Sequence, residues 1–255
     1  MGVKRKRKIK KSFLFSVAGL LLLGLIALME KRGADKVVQA IEVYLQDSGS
    51  AYFVDEAEIV QLLENEFPAL KPGNSLKGIQ LGKIEGMVES HPFVKNAEVF
   101  MDLKGNIVVK IEQYRPVARV LRPMAAHGYV SVEGAVLPTS PKYTARVLTV
   151  EGPLADVLLN EEELYPEYAD LMELIHFIVQ DDFWRAQITG LEVDGKKNIK
   201  MYQQVGRQVI EFGKPVDIEE KFKKIDLFYK EVLPVRGWDT YKRVNVKYKD
   251  QIICE

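Results

Sequence analysis

The sequence predicts an α+β protein made of a single N-terminal transmembrane helix, a small β-α-α-β-β module and a β-rich module with two helices. Three observations carry this prediction. A basic cluster at residues 4–11 runs straight into an apolar stretch at residues 13–29. Past it, within about 80 residues, apolar positions recur first at helical spacing and then in strict alternation. From residue 116 onward the chain is broken into short alternating runs separated by turn residues, the pattern of a sheet.

The apolar stretch is about 17 residues long, the lower end of what crosses a bilayer as a helix. It closes on Leu25-Ile26-Ala27-Leu28-Met29-Glu30-Lys31-Arg32, with no small-residue cleavage site, and so reads as an anchor rather than a removable signal. Seven basic residues precede it and only Lys31 and Arg32 lie close behind. That asymmetry keeps the N-terminus in the cytoplasm and places everything after about Arg32 outside it. The expected organisation is a cytoplasmic tail at 1–11, an anchor at 12–30, the small module at 36–115 and the β module at 116–255.

Charge and cysteine content exclude several classes of function. The chain carries 36 basic and 36 acidic residues, but no acid precedes Glu30, so the outer part holds 29 basic against 36 acidic groups. A mildly acidic exodomain lacks the basic face that nucleic-acid binding needs. Cys254 is the sole cysteine, which rules out intrachain disulfides and thiolate metal clusters, and its expected place is buried in a final strand.

Each element has its own warrant. Val38, Ala40, Ile41, Val43 and Leu45 predict a first strand over 36–45, with a helix continued from the membrane as the alternative. Asp55 is an N-cap ahead of a short amphipathic helix with Ile59, Leu62 and Leu63 on one face, and Lys71-Pro72-Gly73-Asn74 is a turn. A second helix over 81–89 stops at Ser90-His91-Pro92, since the residue before proline resists helical geometry. Strands at 94–101 and 107–111 flank a hairpin at Lys104-Gly105-Asn106. In the β module, strands are expected at 117–121, 129–132, 135–138 and 146–150, with Glu133-Gly134 as a turn. A long helix is expected over 161–180, a three-stranded meander over 188–193, 199–203 and 208–212, and a last helix over 217–232 capped by Asp217. Residues 241–254 close the chain as a long or bent strand, and a terminal strand at a sheet edge can accept a strand from another chain.

Nothing in the sequence assembles a catalytic or metal site. His91, His127 and His176 have neither metal-ligand spacing nor a nucleophile relay. The acids at Glu161-Glu162-Glu163 and Asp181-Asp182 are adjacent and so point apart, unlike a facing acid–base pair. Gly73, Gly78, Gly82 and Gly86 do not follow a strand as a phosphate loop requires. No cofactor and no small-molecule substrate is expected. Trp238 and Tyr241 are expected to close the core over the last helix rather than line a partner groove.

Four segments together resemble the bacterial cell-division family FtsQ, called DivIB in some lineages, whose small module is a POTRA domain. They are His91-Pro92-Phe93-Val94-Lys95-Asn96-Ala97-Glu98-Val99, the run from Ile107 through Glu112-Gln113-Tyr114-Arg115-Pro116 to Ala118, the glycine turn Tyr129-Val130-Ser131-Val132-Glu133-Gly134-Ala135-Val136-Leu137-Pro138, and Arg243-Val244-Asn245-Val246-Lys247-Tyr248. Asn245 stands where the family commonly has aspartate, and the chain ends at Glu255 without the polar tail many members carry.

The resemblance implies a non-enzymatic divisome scaffold, single-pass in the bacterial inner membrane at the division site, with its C-terminal domains periplasmic. The implied partners are FtsB- and FtsL-like bitopic proteins, with FtsK, FtsW and FtsI-like proteins as further candidates. Carried over, the strand that receives a partner peptide is 244–248 with Ile252 and Ile253 adjoining, so the implied partner-binding residues are Val244, Val246, Lys247, Tyr248, Ile252 and Ile253. Tyr248 is either an anchor for the partner or an ordinary packing residue, and Lys247 and Lys249 either pair with partner acids or protect an edge. Two alternatives stand beside this reading: a POTRA-bearing envelope transport or assembly component, and a membrane-anchored envelope hydrolase using Asp181 or Asp182 with a histidine.

Overall fold

The computed structural model describes residues 19–24, 37–46 and 53–255. The expected cytoplasmic tail and anchor lie outside the described residues, apart from residues 19–24, which are helical with Leu20, Leu21, Leu22 and Leu23 exposed. Among the described residues, no helix is long and apolar enough to cross a membrane.

The chain divides into two compact units. Among the described residues, the first contains 37–46, Asp55–Ser90 and Asn96–Ile111. Its elements run β1 (Ile41–Leu45), α1 (Glu56–Glu66), a 3-10 turn (Pro68–Leu70), α2 (Leu81–Glu89), β2 (Val94–Met101) and β3 (Ile107–Gln113), the expected β-α-α-β-β order. The sheet order is β1-β3-β2, with β1 parallel to β3 and Ile41 opposite Ile107. Helix α1 starts where Asp55 caps it, its carboxylate accepting from the Glu58 N–H at 2.7 Å, and Glu56 and Glu58 complement the positive helix end. Ile59 and Leu63 of α1 and Ile84 and Val88 of α2 are buried, as are Val43, Ile107, Val109 and Ile111 of the sheet. The outer edge of β2 is occupied: the Ala97 and Val99 N–H groups donate to the Glu89 and Glu85 carboxylates at 3.3 and 3.2 Å.

The second unit contains Asp47–Val54, His91–Lys95 and Glu112–Glu255. Its strands are β4 (Pro116–Val120), β5 (Gly128–Ser131), β6 (Val136–Pro138), β7 (Leu148–Glu151), β8 (Ile188–Val193), β9 (Ile199–Gln203), β10 (Val209–Gly213), β11 (Arg243–Asn245) and β12 (Ile253–Cys254). They form one sheet in the order β12-β11-β10-β9-β8-β7-β4-β5-β6. Strands β8, β9 and β10 are the expected antiparallel meander. The β6 end of the sheet is covered by its own chain, because Val136 N–H donates to the Glu162 carbonyl at 3.0 Å and Ala135 bridges Glu163.

Helices are α3 (Ala155–Leu158), α4 (Ala169–Gln180), α5 (Asp182–Gln187), α6 (Ile218–Leu227), a π-helical turn (Phe228–Val232) and α7 (Leu233–Arg236). This corrects the expectation of two helices in the β module. The long helix expected from residue 161 begins only at Ala169, because Pro166 supplies no N–H and holds Tyr165 outside helical geometry. Asp181 then breaks the helix and caps the next, its carboxylate accepting from the Trp184 N–H at 2.9 Å. Leu171, Leu174, Ile175 and Ile178 of α4 and Phe222 and Ile225 of α6 share one core with Val150, Leu191, Met201, Phe212 and Val244 of the sheet.

The two units use the same hairpin chemistry. Asp102-x-Lys104-x-Asn106 joins β2 to β3, and Asp194-x-Lys196-x-Asn198 joins β8 to β9. In each, the aspartate Oδ1 accepts the N–H groups two and four residues on, at 2.8 Å, and the asparagine amide donates to Oδ2 at 3.0 and 2.9 Å respectively. These bonds hold both carboxyls below the usual aspartate range, chiefly the backbone N–H of Asn106 for Asp102 and the side chain of Asn198 for Asp194.

Candidate partner-binding edge

Among the described residues, no further strand pairs with the C-terminal end of the sheet. The long or bent strand expected over 241–254 is two short strands: β11 runs parallel to β10 with Ile210 opposite Val244, and β12 folds back antiparallel with Cys254 opposite Val244. The reversal falls at Asp250, whose backbone is left-handed at φ 58°, a conformation aspartate tolerates better than most residues. Strand β11 is therefore interior to the sheet, and β12 is its edge.

The pairing pattern shows which backbone groups face outward. Arg243 and Glu255 exchange both hydrogen bonds, at 2.9 and 3.0 Å, and two residues along Asn245 faces Ile253. In an antiparallel ladder, alternate residues direct both backbone groups to one side. The N–H and C=O of Ile253 and Glu255 thus point at β11, while those of Ile252 and Cys254 point away from the sheet.

The residues proposed from the sequence fall into three groups. Val244 and Val246 are fully buried, and the Val246 N–H donates to the Glu211 carbonyl at 3.1 Å. Their side chains belong to the core and present nothing to a partner. Lys247 is turned back onto the sheet, where its Nζ donates to the Glu211 carboxylate at 2.7 Å. Beside Lys247, whose side chain is still exposed, Tyr248 is 51% exposed, Ile253 is 37% exposed, and Ile252 is half-buried against the core.

A polar frame holds this edge. Glu211 receives Lys247, the Asn245 amide at 3.3 Å and Arg243 at 3.5 Å, and Arg243 also pairs with the Glu255 carboxylate. The Lys247 bond, followed by the charges of Lys247 and Arg243, holds the Glu211 carboxyl below its ordinary range. On the helix side, Lys224 of α6 donates to the carbonyls of Val246 and Tyr248 at 2.9 and 2.7 Å, pinning the link between β11 and β12. Neither Lys224 nor Glu211 stands out in the sequence, because the contacts join residues more than twenty positions apart. Cys254 is half-buried in β12, and burial pushes its thiol up.

The groups weighed for chemistry do structural work. Asp181 caps α5, Asp182 pairs with Arg185 at 2.6 Å, and His176 bonds the Val132 carbonyl at 2.8 Å. His127 Nδ1 accepts from the Arg122 N–H at 3.1 Å. Among the described residues no cluster of three or more His, Cys, Asp or Glu is placed to hold a metal ion. Trp238 corrects another expectation: Tyr241 packs against the core, but Trp238 is 46% exposed and rims a cavity.

Comparison with known proteins matches two segments of the chain to family models. Residues 36–112 match a family model described as a POTRA-like domain, and residues 115–255 match one described as FtsQ/DivIB, C-terminal related. No curated protein matches the chain. With a nine-stranded sheet ending in an open C-terminal strand, behind a β-α-α-β-β module, the chain belongs to the FtsQ/DivIB C-terminal-related family.

Proposed function

We propose that this chain is a non-enzymatic scaffold of the bacterial division machinery, anchored in the inner membrane, that captures an extended segment of an FtsB-like bitopic protein on the β12 edge. Family membership points to a cell-division-related role and an envelope location, and both domain types are typically non-enzymatic. The observation that carries the reading is the outward-facing backbone of Ile252 and Cys254 on a strand that nothing else in the described chain covers. Backbone hydrogen bonds give such an addition its affinity, and Tyr248 and Ile253 flank it with apolar surface that can select the incoming side chains. The opposite end of the same sheet is closed by residues 162–163, so an added strand has one place to go.

The decisive variant is Cys254→Pro. It removes an N–H that points away from β11 and leaves the Arg243–Glu255 bonds in place, whereas proline at Val246 would break a buried bond to Glu211. With the full chain in detergent micelles and a peptide from the extracytoplasmic end of the FtsB-like protein, Cys254→Pro weakens binding at least about tenfold. Cys254→Ser, which keeps the N–H, binds as the parent does. Equal binding by all three, with unchanged circular dichroism, rejects the edge. Depleting the protein in its host gives filaments without septa; normal division rejects the scaffold role.

A further inference from the structure

We infer that a groove between α4, α5 and α6 is a second docking surface, built for an amphipathic helix of a partner protein that sets basic side chains beside apolar anchors. The inference is independent of the β12 edge. One half of the groove is a cavity of about 720 Å³ whose walls are aromatic: Phe177, Phe183, Trp184, Phe222, Tyr229 and Trp238. Phe183 and Trp184 pack edge to face at 4.8 Å, as do Trp184 and Phe222 at 4.8 Å, and Tyr229 lies tilted against Trp238 at 6.2 Å. Phe183 and Trp238 remain about half exposed at its mouth. The π-helical turn at Phe228–Val232 carries Tyr229 and Lys230 into the lining, and such turns recur at functional positions.

The other half is a cavity of about 730 Å³ that continues from the first through Phe177, Glu219 and Lys223. Its rim carries Asp170, Glu173, Asp217, Glu219 and Glu220 against the single cation Lys223. None of these five carboxylates forms an ion pair among the described residues, although Asp181, Asp226 and Lys230 around the aromatic half include the pair Asp226–Lys230 at 2.8 Å. An apolar trough that grades into an excess of negative charge selects its occupant by charge complementarity, since Lys221, whose charge also acts on Asp217 and Glu220, is directed to the Lys214 carbonyl. Aromatic and aliphatic anchors at helical spacing fill the first half, and Lys or Arg further along the same helix face the second. Glu219, Lys223, Asp226 and Lys230 recur at helical spacing along one side of α6 and its extension.

Trp184 and Trp238 are the chain's two tryptophans, and both line this groove, so intrinsic fluorescence reads its occupancy directly. The probe is a tryptophan-free helical peptide with leucines on one face and lysines along its flank, compared with an analogue in which every lysine is glutamate. Added to the full chain in detergent micelles, the lysine peptide shifts the emission saturably. The glutamate analogue needs at least about tenfold more. Added salt weakens the lysine peptide's binding, as screening requires. Glu219→Lys with Glu220→Lys, both at exposed positions, balances the charge of the rim and abolishes the preference, and Phe183→Ala weakens both peptides with unchanged circular dichroism. Cys254→Pro leaves the peptide response unchanged, which separates this site from the strand edge. No response to either peptide, an equal response to both, or an emission shift on simple dilution, which would mark a second copy of the chain as the occupant, overturns the inference.

Discussion

Gly213 and Lys247 show how one residue sets the shape of the edge. Gly213 sits at φ +74°, and a Cβ built there would lie 2.7 Å from Lys247 Cγ. The lysine stem lies across the bare glycine backbone and its ammonium reaches Glu211 on the same strand. Gly213→Ala meets both a left-handed backbone and the Lys247 stem, and destabilises the chain by at least about 1 kcal/mol. A urea melt checks this. The same ion pair gives an acid dependence with a fixed sign. Glu211 titrates below its ordinary value of 4.5 in the folded chain, so its contribution is fully present above that value and is lost as pH falls through the lower folded value. Lys247→Met removes the main cause of the shift. Its stability deficit, read from urea midpoints at a series of pH values, is largest near neutrality and shrinks in acid.

Elements were legible in the sequence where periodicity and punctuation agreed. Strands β8 and β9 and helix α2 lie at the residues their patterns predict, since Gly, Pro and turn residues bound each apolar run. The misreadings have physical causes. Glu161 to Gln180 keeps a helical composition across Pro166, and only the proline's backbone chemistry stops the helix reaching further back. Residues 241–254 keep a strand composition across Asp250, and the reversal there is a backbone event that apolar alternation does not record. Of the candidate site, the strand implied at 244–248 lies one place inside the sheet end, and Ile253, implied only to adjoin it, lies on the terminal strand β12. The buried state of Val244 and Val246 depended on strand order, which no local pattern encodes. The paired Asp-x-Lys-x-Asn hairpins are visible in the sequence as a repeated spacing.

Edges themselves make a testable contrast at this scale. The outward N–H groups of Ala97 and Val99 on β2 are held by Glu89 and Glu85, whereas among the described residues none covers those of β12 in this way. Removing both carboxylates uncovers a longer strand than β12 and turns it into a template for another chain. The double variant Glu85→Ala with Glu89→Ala therefore self-associates with rising concentration in sedimentation velocity, while the parent under the same conditions does not. Equal sedimentation of the two would show that the carboxylates are dispensable for keeping that edge closed.

At the scale of the whole molecule, the chain is two cores with two separate hairpin devices. Asp102 organises a turn of the first unit and Asp194 a turn of the second, through equivalent bonds, so the same substitution can be made once in each. A multidomain chain is not obliged to unfold in one step, and each core here has its own buried apolar set. Scanning calorimetry of the full chain in micelles is expected to resolve two transitions. Asp102→Ala lowers the midpoint of one and leaves the other in place, and Asp194→Ala does the converse, because each loses a turn that belongs to one core alone. Both carboxyls titrate below the usual range in the folded state, so each contribution is present above the ordinary value of 3.8 and fades as pH falls through the folded value. The separation between parent and variant midpoints accordingly closes in strong acid for both. A single transition that both substitutions lower equally would mean that the two units unfold as one cooperative body, and a partner bound on the β12 edge would then stabilise the POTRA-like unit as much as the unit that holds it.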